Sequence, residues 1–197
     1  MKKLMGVLTV ALLCAILMAQ SASATIVLDF EDIDAAGVEG VQLQDGYAGF
    51  NWSDDAYALD KNYIPASGYF YGTQGQTCLA TRSENTITMD NGGVFDFSGA
   101  YITSAWNTDH NFTVEGWLND SMIYTSSKVT SSDKAYWFDF DYNNIDKLVF
   151  IPGSGTDAGT SGNGNHLCID NITLVPEPLT LSLLGLGGLM LRRKRRA

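Results

Sequence analysis

Short runs of β-branched and aromatic residues, separated by clusters of Gly, Asn, Asp and Ser, fill residues 25–175. This pattern is typical of antiparallel strands joined by turns. In 137–142, alternate residues place Phe138, Phe140 and Tyr142 on one face of a strand. Asn119-Asp120 lies between two strand patterns and favours a hairpin turn. No window has a convincing helical period, so the pattern predicts an all-β fold, a two-sheet antiparallel jelly-roll sandwich.

Segments rich in Gly, Asn, Asp and Ser separate the predicted strands, and one near the end of the domain has a low-complexity composition. Residues 152–165 form a low-complexity segment with five glycines, which fits either a surface loop or the rim of a ligand site. The predicted strands cover 25–31, 47–52, 77–81, 85–89, 93–97, 100–106, 111–118, 121–129, 134–140, 146–151 and 166–174.

Charge is distributed unevenly along the chain. Residues 25–175 contain 21 of the 22 acids, five of the 12 basic residues and all 22 aromatic residues, which gives this part a formal charge of −16. Its aromatic and apolar content argues against disorder. A body with so few basic residues cannot neutralise phosphates, which excludes nucleic acid as a partner.

The N-terminus has the three parts of a secretory signal. Lys2 and Lys3 precede an apolar run over 4–19, and Ala22-Ser23-Ala24 provides the small residues that signal peptidase requires. We therefore expect a signal peptide over 1–24, cleaved after Ala24, and export across the inner membrane. The alternative is an uncleaved membrane anchor.

The C-terminus, residues 176–197, has a second tripartite pattern. Pro176-Glu177-Pro178 precedes 13 uncharged residues over 179–191, and five basic residues follow over 192–196. Thirteen residues are few for a membrane span, which needs about 20. The basic cluster favours a cytoplasmic C-terminus. Together the two ends predict a central domain over 25–175 that lies across the membrane from its C-terminal tail.

The order of this C-terminal pattern resembles the PEP-CTERM sorting signal, over residues 175–197. The resemblance implies that an exosortase recognises Pro176-Glu177-Pro178 in the membrane and removes the short transmembrane helix and basic tail. It further implies a protein of the cell surface or extracellular matrix, associated with exopolysaccharide and biofilm. The alternative is an ordinary C-terminal membrane anchor.

The central domain resembles the sandwich domains often carried ahead of this sorting signal. The similarity lies in Leu28-Asp29-Phe30-Glu31 and Ile169-Asp170-Asn171-Ile172, whose acids also resemble those of carbohydrate-binding jelly rolls. This resemblance implies a non-catalytic binding or structural module, with extracellular polysaccharide as the candidate ligand. Sugar recognition uses aromatic rings surrounded by polar groups, and Trp52, Tyr69 and Tyr71 are the candidate ligand aromatics.

Motifs for catalysis are sparse in this sequence. Neither His110 nor His166 lies beside a G-x-S-x-G nucleophile motif, and the zinc and phosphate-loop motifs are absent from the sequence. We therefore predict that the protein is not an enzyme. The alternative is a glycoside hydrolase that uses paired carboxylates, with Asp139 and Asp141 on one strand face.

Acids of the first and last predicted strands are candidates for one structural Ca²⁺. The ends of a jelly roll usually run side by side, which would bring Asp29 and Glu31 to Asp170. Carboxylate oxygens and backbone carbonyls are the ligands that Ca²⁺ prefers. The alternative is that these acids are ordinary exposed residues.

Two cysteines, Cys78 and Cys168, remain after removal of the signal peptide with Cys14. In an oxidising compartment an even pair predicts a disulfide. Both lie in apolar strand patterns, so two buried free thiols are the alternative.

Overall fold

Strands dominate the computed structural model, which describes residues 25–81 and 87–176. The residues of the predicted signal cleavage, Ala22 and Ala24, lie outside the described residues, as do Glu177, Pro178 and the C-terminal apolar segment. One short helix, α1, covers Gly68–Gly72, and a single 3₁₀ turn covers Tyr47–Gly49. The strands are β1 (Ile26–Leu28), β2 (Val41–Gln42), β3 (Asn51–Trp52), β4 (Ala56–Asp60), β5 (Thr77–Thr81), β6 (Ile87–Ser104), β7 (Asn107–Thr108), β8 (His110–Leu118), β9 (Ser121–Thr130), β10 (Trp137–Pro152), β11 (Thr156–Asp157) and β12 (Leu167–Pro176).

Hydrogen bonds join ten of these strands into one antiparallel sheet. Its strand order is β2-β4-β5-β12-β6-β10-β8-β9, with β1 paired to β12 and β3 paired to β6. The remaining two strands, β7 and β11, pair with each other. The sheet has two halves, one with β4, β5 and β12 and the other with β8 and β9, and the long strands β6 and β10 belong to both. The register between β6 and β10 shifts three times between Asp139 and Lys147.

The two halves of the sheet share one hydrophobic core. Leu79, Ile102 and Ile169 from one half belong to the same buried cluster as Phe112 and Phe150 from the other. Rings also meet across the core, since those of Phe112 and Phe138 lie 5.1 Å apart. The predicted all-β antiparallel sandwich is therefore confirmed, with its two layers connected through bent strands.

The first strand is shorter than the sequence pattern predicts. β1 ends at Leu28, and Phe30 adopts a left-handed conformation with φ of 58°. This turn places the Phe30 ring in the core, where it is fully buried. Alternation therefore ends before Asp29 and Glu31, and the positions of these two acids are set by the loop that follows β1.

A second buried cluster lies on the outer face of the half-sheet formed by β4, β5, β12 and β6. In β5 and β12, alternate side chains point to the face opposite the main core. Cys78, Ala80 and Cys168 therefore lie in this cluster together with Leu59. Helix α1 and the segment after β6 cover it with Tyr69 and Trp106. This covered patch forms the floor of a cavity on the outer face.

Across residues 25–81 and 87–176, none of the helices combines the length and the apolar character that a membrane span requires.

Candidate functional site

A cavity of about 320 Å³ opens on this outer face, near the ends of β4 and β5. Its lining residues come from β4 and β5, from α1, and from the segments that precede β2, follow β4, follow β6 and precede β12. Twelve residues line it: Glu39, Tyr57, Leu59, Tyr63, Ile64, Tyr69, Ala80, Thr81, Trp106, Gly162, Asn163 and His166.

Trp106 forms one wall of the cavity, directly after β6. Its side chain is 6% exposed, and its ring meets the ring of Tyr69 edge to face at 5.5 Å. The glycine-rich loop lies flat against it, because a Cβ at Gly162 would come within 2.5 Å of the indole Cη2 and Cζ3 atoms. The indole N–H is buried and has no hydrogen-bond partner among the described residues. A buried donor without a partner costs roughly 1–3 kcal/mol.

Helix α1 positions Tyr69 in the wall of the cavity. The Ser67 side chain caps the helix by accepting a hydrogen bond from the Phe70 N–H at 3.4 Å. Tyr69 is 3% exposed, and its hydroxyl donates to the Thr81 carbonyl at 3.4 Å. Burial raises the pKa of Tyr69 well above its usual value, so this residue keeps its proton.

The turn after β4 supplies the exposed aromatic ring of the cavity. Tyr63 closes this turn through a hydrogen bond from its N–H to the Asp60 carbonyl at 3.0 Å. Its side chain is 42% exposed, so one part of the ring lines the cavity and the rest faces solvent.

The rim of the cavity carries hydrogen-bonding groups. His166 Nδ1 lies 2.9 Å from the Thr81 carbonyl, which can only accept a hydrogen bond, so this nitrogen carries a proton. In the neutral ring Nε2 is then an acceptor. Glu39 and Asn163 are exposed on the same rim. Apolar ring surfaces below a polar rim suit a ligand that has both apolar faces and hydroxyl groups.

The candidate ligand aromatics have three different environments. Tyr69 lines the cavity, and Tyr71 is 47% exposed on α1. Trp52 does not line this cavity, and its role as a ligand aromatic stays a prediction. It is buried in the main core, where its ring packs near those of Phe30 and Phe50 and its N–H donates to the Tyr47 carbonyl.

The acids predicted for a cation meet around the loop that precedes β5. Asp170 is 1% exposed and accepts hydrogen bonds from the N–H groups of Gln74 and Asn171, both at 2.7 Å. Glu31 accepts from the N–H groups of Gln76 and Thr77, at 2.7 and 3.0 Å. One loop therefore binds both carboxylates.

Burial raises the pKa of Asp170 to about 7, although its two backbone hydrogen bonds act in the opposite direction. The charges of Glu31 and Asp29 raise it further, so all three acids lie within electrostatic reach. Over the described ranges, no group of three His, Cys, Asp or Glu side chains is close enough to hold a metal ion.

The carboxylates proposed for hydrolysis are both exposed on β10. Asp139 accepts a hydrogen bond from the Trp137 indole N–H at 2.7 Å, and Asp141 is exposed with φ of 51°. Neither residue lines the cavity described above. His110 is fully buried at the start of β8, where its Nδ1 lies 2.7 Å from the Ser104 hydroxyl.

The two cysteines are neighbours on adjacent strands. Cys168 pairs in register with Ala80, so Cys78 lies diagonally across from it on the same face. Both are buried free thiols. Burial raises the pKa of Cys168 well above its usual value, and a hydrogen bond with Cys78 raises it further. Diagonal pairs have Cα atoms about 7–8 Å apart, whereas a disulfide usually needs less than about 7 Å. The disulfide stays a prediction.

No protein-family model matches this chain. No curated protein matches it either. A solved carbohydrate-binding module, TmCBM61 in complex with β-1,4-galactotriose, aligns with a TM-score of 0.39 and 12% identity, over 68% of this chain and 94% of that one. The arabinose-bound α-L-arabinofuranosidase MgGH51 aligns with a TM-score of 0.44 and 10% identity, over 79% of this chain.

The CBM22-1 and GH10 modules of Clostridium thermocellum xylanase 10B, complexed with xylohexaose, give a TM-score of 0.42 and 12% identity over 71% of this chain. This chain spans 27% of the arabinofuranosidase and 28% of the xylanase structure. At these TM-scores and identities the likenesses assign no function, which has to be argued from the cavity itself.

Most of the residues that line the cavity could not be identified as site residues from the sequence. Trp106 is the last residue of the predicted strand 100–106 and is indistinguishable in sequence from a core tryptophan. Tyr63 was recognisable only as part of the loop-like stretch from Tyr63 to Tyr71, where aromatic residues occur without strand alternation. The glycine-rich segment was the clearest signal, because its alternative interpretation was the rim of a ligand site, and Gly162 and Asn163 lie there.

Proposed function

We propose that the central domain binds carbohydrate, without catalysis, in the cavity between Tyr63 and Trp106. The combination of four aromatic walls with a polar rim carries this proposal. Sugar rings have apolar C–H faces that pack on aromatic rings and hydroxyl groups that bond to polar side chains. The other lining groups match both needs, since the floor is aliphatic and the rim offers a histidine, an amide and a carboxylate.

The buried indole N–H of Trp106 favours an oxygen-rich ligand. This donor has no partner among the described residues and belongs to a side chain that lines the cavity. A small shift of the adjacent glycine-rich loop would let a ligand hydroxyl accept from it, which would recover the unmet hydrogen bond. A purely apolar ligand would leave that donor unpaired.

The same cavity argues for binding without hydrolysis. Two-carboxylate hydrolysis needs acids about 5 or 6.5–9.5 Å apart on either side of the bond. Of the described lining residues, Glu39 is the one carboxylate. Asp139 and Asp141 remain the alternative, and their variants would abolish turnover if the protein were a glycoside hydrolase.

Affinity electrophoresis of the purified exported protein in gels containing galactan, xylan or mixed-linkage β-glucan tests the binding proposal. At least one polymer should retard the wild type, and Tyr63→Ala should lose most of that retardation. Met122→Ala is the matched control, because Met122 is 48% exposed on the hairpin between β8 and β9. Equal retardation of wild type and Tyr63→Ala, or release of reducing sugar from the polymer, would contradict the proposal.

We also propose that the chain is exported, cut by signal peptidase after Ala24 and sorted by an exosortase at Pro176-Glu177-Pro178. The support is the order of the C-terminal elements behind a secretory signal. Delivery to the cell surface or matrix would bring the domain to exopolysaccharide. Intact-mass spectrometry of the mature protein is the test, and a form that starts at Thr25 but still ends at Ala197 would leave only a plain anchor.

We further propose that Glu31 and Asp170 hold a structural Ca²⁺ together with backbone carbonyls, near Asp29. The support is a buried carboxylate with like charges close by and no compensating cation among its described contacts. Because no third acid is close enough to share an ion, carbonyls and waters would provide most of the six to eight oxygens.

Melting curves of the mature protein in EGTA and in millimolar Ca²⁺ test this site. Binding to the folded state alone raises stability, by about 2.7 kcal/mol at a free concentration 100 times the Kd. Ca²⁺ should therefore raise the Tm of the wild type and leave that of Asp170→Asn unchanged. An unchanged wild-type Tm would remove the proposed site.

A further inference from the structure

Exposed aromatic residues are concentrated on the outer face that carries the cavity. Tyr63 lies at the cavity, Phe70 and Tyr71 lie on α1, and Trp137 lies at the start of β10. Their side chains are 42%, 38%, 47% and 40% exposed, respectively. Exposed apolar side chains that are grouped on one face, rather than scattered singly, are typical of a binding surface.

The exposed ring of Trp137, which we call the platform, is held in place on the part of this face that lies away from the cavity. Its ring lies against the backbone, since a Cβ at Gly99 would come within 2.7 Å of the indole Cζ2. The indole N–H donates to Asp139 at 2.7 Å, and the Tyr101 ring meets the indole edge to face at 5.2 Å. These contacts fix the ring in one orientation while leaving much of it open to solvent.

Strand order sets the separation between the platform and the cavity. The cavity lies over β4 and β5, Trp137 lies on β10, and β12 and β6 come between them. With neighbouring strands about 4.8 Å apart, the two aromatic sites are separated by roughly 15–20 Å. Helix α1 lies between the two sites, where Gly72 contacts Thr103 of β6 and Thr73 follows next to Cys168 of β12.

We propose that Trp137 is a second contact for the same ligand, so that a polysaccharide chain runs from the cavity over α1 to the platform. This inference rests on the proposed function and specifies its ligand as a polymer of several units. The platform is the size of one sugar ring, whereas a specific protein interface buries more than about 1,000 Å². Asp139, at the edge of the indole, provides a carboxylate acceptor for hydroxyl groups.

The charge of the domain identifies the class of polymer. The cavity rim carries Glu39, the platform carries Asp139, and residues 25–175 have a formal charge of −16. This field repels acidic polysaccharides and leaves neutral ones unaffected. Between the acidic and the neutral classes, the charge therefore favours a neutral polysaccharide chain as the ligand.

Two measurements on the mature protein test this inference. The first is affinity electrophoresis in galactan, xylan and mixed-linkage β-glucan, with alginate as the acidic comparison. The second is competition against the bound polymer by its own monosaccharide and disaccharide. Trp137→Ala should weaken polymer binding about tenfold and leave the competition constants of the short sugars unchanged. Trp137→Phe should restore part of the polymer affinity.

The controls separate a lost contact from a damaged fold. Val129→Ala removes an apolar side chain that is 59% exposed on the edge strand β9, so it should bind as the wild type does. Melting temperatures of all variants report folding. Tyr71→Ala, on the exposed surface of α1, is a second variant that tests the proposed path between the cavity and Trp137.

The outcomes distinguish this inference from the proposed function. Suppose that Tyr63→Ala loses binding and that both Trp137→Ala and Tyr71→Ala bind polymer like the wild type. The extended path to Trp137 is then overturned, whereas the proposal that the cavity binds carbohydrate is retained. An equal loss for polymer and short sugars in Trp137→Ala also overturns the extended path, as does preferential binding to alginate. If none of the neutral polymers retards the wild type, both proposals fail.

Discussion

Single residues decide the shape of the cavity wall, and Gly162 is the clearest case. The loop can lie on the Trp106 ring only because residue 162 has no side chain. The ring in turn fixes the positions of Asn163 and His166 on the rim. The rim therefore depends on this close backbone contact as well as on the hydrogen bond between His166 and the Thr81 carbonyl.

Gly162→Ala should move the loop off the Trp106 ring. Overpacking of this kind costs about 1–3 kcal/mol. We expect a lower Tm and weaker polysaccharide binding, measured by differential scanning fluorimetry and affinity electrophoresis. Ser161→Ala, at the exposed neighbouring position, should leave both unchanged. A wild-type Tm and affinity for Gly162→Ala would show that the loop does not depend on this contact.

Asp170 gives the protein a distinctive pH dependence when Ca²⁺ is removed. Its folded pKa is about 7, above the ordinary value of 3.8, so the folded state binds this proton more tightly than the unfolded state. The resulting stabilisation is complete below about pH 4 and is lost as pH rises through 7. A shift of this size corresponds to roughly 4 kcal/mol.

In EGTA we therefore expect the Tm to fall between pH 5 and pH 8 because Asp170 ionises near Glu31 and Asp29. Asp170→Asn removes the titrating group and should flatten this fall, which melting curves across the pH range will measure. Asp133→Asn, at an exposed position, is the control. Its carboxylate accepts from Tyr136, which lowers its pKa, so it should not flatten the fall. Parallel curves for wild type and Asp170→Asn would contradict the assignment.

At the scale of elements, sequence patterns predicted the regular strands and failed where the chain bends. β5 matches its prediction over 77–81, and β8 and β9 differ by one residue each, because their alternation is uninterrupted. β4 was missed, since both of its faces are covered: Ala56 and Ala58 face the main core and Leu59 faces the second cluster, so its sequence shows no alternation of apolar and polar residues. The helix Gly68–Gly72 is too short for a helical period and depends on its cap at Ser67.

The hairpin between β8 and β9 was predicted from Asn119-Asp120, and both residues have positive φ, 49° and 59°. This conformation strongly favours glycine at the second position. Asp120→Gly should therefore raise stability by up to about 1 kcal/mol, whereas Asp120→Val, with a β-branched side chain, should lower it. Chemical denaturation measures both. The same order of stabilities for Ser121→Gly and Ser121→Val would show that the effect is not specific to the turn.

The relative position of the two cysteines becomes known only from the strand register, because the sequence shows only that they are two. The sequence indicates an even pair, and the register places the two thiols side by side on a diagonal. Thiol counting on denatured, unreduced mature protein decides between the alternatives. The predicted disulfide gives no reactive thiols, whereas two per molecule would contradict it. In the native protein neither thiol should react rapidly, because both side chains are buried.

For the whole molecule, the fold was predictable and the site largely was not. Alternation is local, so it can be recognised in one segment at a time. The cavity combines β4 and its turn, α1, the end of β6 and the loop before β12, which lie far apart in sequence. Only the antiparallel pairing brings them together, and no pattern within any one segment indicates its neighbours.

The net charge of the domain leads to a prediction for the whole molecule. Residues 25–175 contain 21 acids and five basic residues. Among the described residues, one ion pair joins Lys147 to the fully exposed Asp120, at 4.0 Å. Mutual repulsion therefore opposes the compact state, and salt screens it with a Debye length of about 10 Å at 0.1 M.

Raising NaCl from 10 mM to 300 mM in EGTA should increase the Tm, by about 3 °C for each kcal/mol of relieved repulsion. Millimolar Ca²⁺ should add a further rise that an equal concentration of Mg²⁺ does not reproduce, because screening depends on ionic strength and the proposed site on coordination. Equal rises with the two cations would reduce the calcium effect to screening. A Tm that does not respond to NaCl would mean that the acids are too dispersed to destabilise the fold, and the electrostatic argument for a neutral ligand would lose its basis.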